Sequence, residues 1–347
     1  MLRFLLRRLA TMVLTAICLT FVVFYLTNLP PNLEKIAKTE AGSRISDAEV
    51  ASWLAKNGYA QPVFRRYGEW LGVVPGWRHD EPGAVTGRCI PRGSDPAAAP
   101  RVCGVMQGNW GFSNVFKEPV SRIIATRLGL TGWLMLSVML VMVPVSLITG
   151  ILAGMREGSR LDRSLSTVSI ATTATPEYVS GVLFITIFAS SVTGLKWFKG
   201  TATSAMDDIT FENFFLPVMT IALYGIGYIA RMTRASMTEV MTAQYIRTAR
   251  LKGVRFRDVV LRHALRNALI APFTVIMLQF PWLLNGVVIT ETLFNYKGFG
   301  WTLVQAAGNN DIELLLGCAV VAVVVVLISQ LISDVGYAFL NPRIRIS

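Results

Sequence analysis

"QYIRTARLKGVRFRDVVLRHALRNALIAPF", residues 244–273, carries Arg247, Arg250, Lys252, Arg255, Arg257, Arg262 and Arg266 against a single acid, Asp258. The chain on both sides of it is apolar. A compact basic stretch between oily segments admits three explanations: a nucleic-acid patch, a lipid-facing anchor, or a docking surface for another protein. The choice depends on what holds the stretch at its two ends.

Only 16% of the 347 residues are charged, where a soluble domain has about 25%. Mean hydropathy is +0.50. The basic residues behind the net charge of +12 cluster at the N-terminus, at 156–163, at 231–266 and at the C-terminus, and nearly vanish from the long apolar runs. A bilayer asks for ~20 apolar residues per helix. Six segments meet that length: about 9–29, 131–154, 166–192, 213–232, 269–291 and 312–338. The first is longer than the ~7–15 residues of a signal-peptide core and no small-x-small site follows it, so an uncleaved span is expected. The fourth is the weakest, with Gly225, Gly227 and a closing Arg231; glycine is tolerated there because it lets helices approach closely.

Lys and Arg are retained in short cytoplasmic loops. With Arg3, Arg7 and Arg8 inside, six alternating spans put Arg156, Arg160 and Arg163, the opening stretch, and Arg343 and Arg345 on that same side. Both termini are then cytoplasmic, and loops 30–130, 193–212 and 292–311 lie outside. The first outer loop is too long to be a plain connection. Within it, "ISDAEVASWLAKNGYAQPVFRRYGEWLG" predicts one or two short amphipathic helices. From Val73 to Gly108 the chain turns rich in Gly, Pro and Ala, and carries Cys89 and Cys103. On the oxidising side of a membrane that pair predicts a disulfide, the alternative being two unpaired thiols. Cys18 and Cys318, inside spans, read as small packing residues.

On a helical wheel from Phe256, Val260 and Ala264 follow at intervals of four, with Leu261 and Ala268 beside them. Arg255, Arg262 and Arg266 form the opposite stripe, while Arg257 falls near the apolar face. Tyr245, Ile246 and Ala249 make a shorter apolar face that ends at Gly253. The spacing predicts two short helices bent at the glycine, lying across the ends of the spans.

At these residues the chain resembles the permeases of ABC importers, specifically the B-type permease of the dipeptide, oligopeptide and nickel family. Ala249 and Gly253 match the central Ala of the family's cytoplasmic loop and its Gly four residues later, and "RHALRNAL" matches too. "QPVFRRYGEWLG", "GNWGFSNVFKEPVSRIIATRL", "ETLFNYKGFGWTLVQAAGNND" and "SDVGYAFLNPRIRI" resemble further family segments in the same order. The departures are Lys297 where the family usually has Pro, Asn341 where it has Asp, and Arg247-Thr248-Ala249 in place of Glu-Ala-Ala.

The resemblance implies an all-α polytopic membrane protein with six transmembrane helices and a type I-like ABC importer permease fold. An N-terminal span, 1–30, would precede an external loop domain, 31–130, with an insertion at about 73–107. A five-helix permease core, 131–347, would hold the cytoplasmic coupling loop, 233–268. Tyr245, Arg247, Thr248, Ala249, Lys252 and Gly253 would meet the ATPase, with Gly253 supplying the bend and small Ala249 letting the helix sit deep in a groove. The implied partners are a second homologous permease, two cytoplasmic ABC ATPase subunits or domains, a periplasmic substrate-binding protein and membrane lipid. ATP and Mg would bind those ATPases, so no cofactor is expected in this chain. The implied cargo is a peptide, although the family includes carriers of nickel, opines and oligosaccharides.

Glu177 lies about a dozen residues into the third span, ~18 Å deep at the helical rise; an intramembrane carboxylate is a functional candidate, the alternative being a charge paired with an arginine or capping a helix disrupted at Pro176. Asn285 and Glu291, in and just beyond the fifth span, are the other candidates for the translocation path, with a structural or gating role favoured for Glu291. Asp334 is expected to reach water or pair with Arg343. No Gly-x4-Gly-Lys-Ser/Thr phosphate loop occurs, so no catalytic residues and no ATP hydrolysis are expected. His79 and His263 fall on opposite sides, and no ligand spacing for a metal appears. A short basic loop pinned between spans also argues against nucleic acid. A secondary transporter would need paired membrane carboxylates or an inverted repeat, and neither is evident; a membrane scaffold is the remaining alternative.

Overall fold

Proline and glycine decide where the apolar runs break. The structure, a computed structural model, describes residues 2–42, 44–81, 84–90, 95–191 and 195–340; the side chains of residues 2–5, 81, 84, 285 and 337–340 fall outside that description. The chain forms two compact units, one of Leu9–Thr126 with Thr302–Val324, the other of Arg127–Trp301 with the two terminal stretches.

In the first unit, helix α1 (Leu2–Thr27) stops short of Pro30 and Pro31, which start α2 (Pro30–Ala41) from its first positions. Proline suits that place because the first helical N–H groups have no partner in any case. Ser46 caps α3 (Asp47–Lys56) in a reciprocal capping box with Glu49, an arrangement worth roughly 1 kcal/mol. Helix α4 (Val63–Leu71) ends at Gly72. These two helices coincide with the stretch expected to be amphipathic. Their core is aromatic: Tyr67 and Trp70 pack on Phe24 together with Leu33, Ile36, Ile312 and Leu316, and the Tyr67 hydroxyl meets Thr20 Oγ1 at 2.8 Å. The Gly/Pro/Ala-rich insertion holds a small antiparallel hairpin, β1 (Arg78–Glu81) and β2 (Ala84–Gly87), with Arg78 opposite Gly87. Beside it Cys89 and Cys103 are joined as a disulfide, their Cα atoms 5.6 Å apart. The segment "GNWGFSN" is pinned where Ser113 Oγ donates to Asp311 Oδ2 (2.5 Å), while the same oxygen accepts from the Val115 N–H.

The apolar helices of the chain continue with α5 (Val120–Gly154), α6 (Arg160–Ala174), α7 (Glu177–Phe188), α8 (Phe211–Thr242), α9 (Gln244–Leu251), α10 (Phe256–Asp258), a π-helical turn (Val259–Ala264), α11 (Leu265–Ala268), α12 (Ile270–Leu293), α13 (Phe299–Gly308) and α14 (Ile312–Leu340). Among the described residues, four helices are long and apolar enough to cross a membrane, and two bent pairs raise the number to as many as six. The third expected span is one of those pairs rather than a single helix: α6 and α7 meet at 105°. Thr175 is extended and Pro176 follows, as expected because a proline ring disfavours helical backbone at the residue before it. In the other pair, Phe256–Ala268 and Ile270–Leu284 are bent by 49°.

Helix α8 is the centre of this unit. Leu216, Ile221 and Ile229 are fully buried against Leu134, Met142 and Leu283. A Gly-x-x-x-Gly pair, Gly150 and Gly154 on α5, brings that helix onto α8: a Cβ at Gly150 would stand 2.5 Å from the Ala230 carbonyl, and one at Gly154 2.5 Å from Met237 Cβ. In lipid, where tails are as apolar as leucine, such close packing is what drives helix association.

Candidate functional site

Helix α8 runs on to Thr242, ten residues past its expected end, so the first part of the predicted 233–268 loop is a continuation of a span. Extended backbone at Ala243 then starts α9. The end of α9 is a Schellman motif: the Gly253 N–H donates to the Arg250 carbonyl (3.0 Å) and the Val254 N–H to the Ala249 carbonyl (3.3 Å). This closure needs left-handed backbone at the glycine, and Gly253 has φ +75°. Among the described residues, its chain neighbours aside, nothing lies within 4 Å of where a Gly253 Cβ would point, so the glycine is required here by conformation and not by crowding.

Below α9 is a small apolar cluster of Met237, Ile246, Ala249, Val259, Val260, Ala264 and Ala268, with Ile151 and Met155 against it. Ala249, expected to seat the helix in a partner's groove, instead faces this cluster and is 8% exposed. The outward face of α9 carries Tyr245, Arg247, Thr248 and Leu251, with Lys252 just beyond. Leu251 is 80% exposed. The wheel from Phe256 also needs correction: Phe256 and Leu261 are exposed, and Val259 is buried. The cause is the π-helical turn, whose i→i+5 closure brings Val259 and Ala264 onto one face and leaves Arg257 in solvent. Tyr245 is fixed by its hydroxyl, which accepts from Asn267 Nδ2 at 2.9 Å.

One ion pair stands out in this region. Asp162, 3% exposed, accepts from Arg234 Nε at 2.5 Å and from its terminal nitrogen at 2.8 Å. It also accepts from the Gly158 N–H and from Ser166 Oγ. Breaking a buried, fully bonded pair costs roughly 3–5 kcal/mol, while an exposed pair such as Arg262–Asp258 is worth at most about 0.5. The first is therefore the structural tie between α6 and α8. Sequence reading passed over it because Arg234 counted only as topology; the Ser159-x-x-Asp162 capping pattern was the available signal.

Of the candidate path residues, Glu177 is the first residue of α7, directly after the break. Its Oε2 is buried without a hydrogen-bond partner, and α12 faces it with Gly286, where a Cβ would come 2.6 Å from that oxygen. The side chain of Asn285 lies outside the described residues. Glu291 is 0% exposed and fully engaged. Thr131 Oγ1 donates to its Oε1 at 2.5 Å, the Trp301 N–H donates to its Oε2 at 2.9 Å, and Thr131 in turn accepts the Phe299 N–H. The carboxylate thus bonds the start of α13 through the Trp301 N–H, where negative charge is favoured. Two backbone anchors support the same segment: the Tyr296 hydroxyl donates to the Leu130 carbonyl, and Arg127 donates to that of Lys297. Asp334 pairs with Arg8 at 3.1 Å; its expected partner Arg343 is outside the described residues.

Comparison with known proteins agrees with this arrangement. Residues 146–346 match the family described as "Binding-protein-dependent transport system inner membrane component", and residues 1–134 match its N-terminal counterpart. A putative peptide permease protein of Brucella suis biovar 1 is 29% identical over 354 aligned residues, covering 100% of both chains. A probable peptide ABC transporter permease protein of Sinorhizobium fredii is 34% identical over 241 residues, 70% of this chain and 77% of that one. The glutathione transport system permease protein GsiC of Escherichia coli K12 is 28% identical over 99% of each chain. With helices long and apolar enough to cross a membrane and family matches across both halves, the chain belongs to the binding-protein-dependent transport system inner membrane components, the multi-pass permeases of ABC importers.

Proposed function

We propose that this chain forms half of the translocation route of an ATP-driven peptide importer. Six spans, counting each bent pair as one, cross the membrane with both termini in the cytoplasm, and 31–130 forms an external domain carrying the Cys89–Cys103 disulfide. A second, homologous permease completes the route, two ATPase subunits or domains dock below, and an external binding protein delivers the cargo. ATP is hydrolysed on the partners. The names of the relatives support peptide cargo, since those proteins are described as permeases for peptides or glutathione.

The observation that carries the coupling assignment is the geometry of α9: a short helix directly after a long span, closed by left-handed Gly253 and presenting Leu251 outward. Burying a leucine contributes about 1.5–3 kcal/mol, whereas rim arginines contribute little. The docking energy is therefore assigned to the Tyr245, Thr248, Leu251 face, with Arg247 and Lys252 at its edge and Ala249 and Gly253 shaping the helix. Along the route, Glu177 and Asn285 are the proposed cargo-facing residues at the α6–α7 break and on α12. Glu291 is assigned to holding the outer end of α12. The test is ATP hydrolysis in proteoliposomes containing the chain, its partner permease and the ATPases. Addition of peptide-loaded binding protein is expected to raise the rate; a response to nickel- or oligosaccharide-loaded binding protein and none to peptide would reject the cargo assignment.

A further inference from the structure

Phe256 has the spacing of a core residue, yet it is exposed, and its ring is used by two cations. Arg156 Cζ lies 5.9 Å from the ring centroid and Arg250 Cζ 5.8 Å, both inside the ~6 Å range of a cation–π contact. The two guanidinium groups come from different segments: Arg250 from α9, Arg156 from the turn between α5 and α6. Like charges so placed would repel, and the negative face of an aromatic ring is the partner that attracts both.

The same segments also meet in an apolar cluster: Ile151 of α5 and Met155 just after it pack against the group that contains Ile246 and Ala249 of α9 together with Val259 and Val260. Arg156 also stands just before Gly158, Ser159 and Asp162, the group that holds Arg234 of α8. The ring thus contacts one arginine of α9 and one of the turn whose following residues, Gly158 to Asp162, lead into the ion pair with α8.

We propose that Phe256 is a positioning residue for energy coupling: through Arg250 and Arg156 its ring fixes α9 to the α5–α6 turn, so that a displacement of α9 moves the ends of α5 and α6 with it. This rests on the reading of the chain as an ATP-driven permease whose α9 meets the ATPase. The role requires an aromatic face and not merely apolar volume, which separates it from ordinary packing.

The test measures cargo taken up per ATP hydrolysed by the complete importer in proteoliposomes. Phe256→Leu is expected to lower that ratio about fivefold, the size expected for losing two exposed cation–π contacts, while Phe256→Tyr and Phe256→Trp stay within about twofold of wild type. Arg156→Gln is expected to lower the ratio alone and to add nothing in the Phe256→Leu background, because both remove the same contact. If Phe256→Leu fails to assemble, Arg156→Gln and Arg250→Gln, at exposed positions, carry the test by the same readout. An unchanged ratio in these variants, Tyr and Trp variants as poor as Leu, or losses that add would overturn the proposal. Wild-type uptake that ignores ATP would instead remove the reading on which it rests.

Discussion

At the scale of single residues, charge and conformation have separate jobs. The arginines of 244–273 drew attention first, yet most of them are solvated and weakly paired. What shapes the segment is Gly253, whose φ of +75° closes α9, and Ala249, which lets α9 lie flat on its own apolar cluster. Glu291 shows the complementary case, a carboxylate whose two oxygens both have assigned donors. Glu291→Gln keeps the shape but turns an NH2 group toward one of those donors, leaving a buried polar group unsatisfied. The expected cost is about 2–3 kcal/mol of stability, seen as a lower melting temperature of the purified protein, with uptake per folded molecule unchanged for every cargo. A cargo-dependent loss of uptake at wild-type stability would show that Glu291 lines the route instead.

At the scale of elements, the sequence was informative wherever a periodic pattern met a strong breaker. The end of α9 was read from Gly253; Ser46, which caps α3, and Gly72, which closes α4, were signals of the same residue-type kind left unread. The disruption at Pro176 was legible from the proline, but the size of the bend, 105° between α6 and α7, was not, because the run is apolar enough to pass for one span. The π-helical turn was not legible either: an i→i+5 closure leaves no mark on a wheel drawn with 3.6 residues per turn, so Val260, Ala264 and Ala268 fall on the buried face as expected, while Phe256 and Leu261 do not and Val259 was missed. The hairpin at 78–87 lacks alternation, and α13 lay in a segment read as an outer loop. Of the site, the outward face of α9 was read in part, but Leu251 was missed because it breaks the apolar face instead of extending it.

Helix α4 also gives a pH prediction. Burial holds the Glu69 carboxyl above its usual range, against the opposing pull of Arg65. A carboxyl whose folded value is raised keeps its proton more tightly when folded, so its contribution to stability is present at acid pH and is lost as pH rises from the ordinary carboxylate range of about 4 upward. Glu69→Gln should therefore flatten the decline in melting temperature between about pH 4 and 7. A decline as steep in that variant as in wild type would assign the effect to other groups.

At the scale of the whole molecule, the chain is a membrane permease whose energy comes from elsewhere. Its family couples an external binding protein to transport, and nothing in the sequence resembles a phosphate loop. The proposed path of force runs from a partner ATPase into α9 and from there to α5, α6 and α8. The most direct test compares uptake of a labelled peptide, with binding protein outside and ATP inside, for wild type, Gly253→Asn and Gly253→Trp. Asparagine accepts left-handed backbone, so Gly253→Asn is expected to retain most transport. Gly253→Trp strains the left-handed backbone at φ +75°, meets no described atom within 4 Å of its Cβ, and presents an indole where the ATPase is proposed to dock. It is expected to insert and assemble normally while peptide uptake and cargo-stimulated ATP hydrolysis both fall to background. Wild-type uptake and wild-type stimulation in Gly253→Trp would contradict the assignment of this loop as the coupling element.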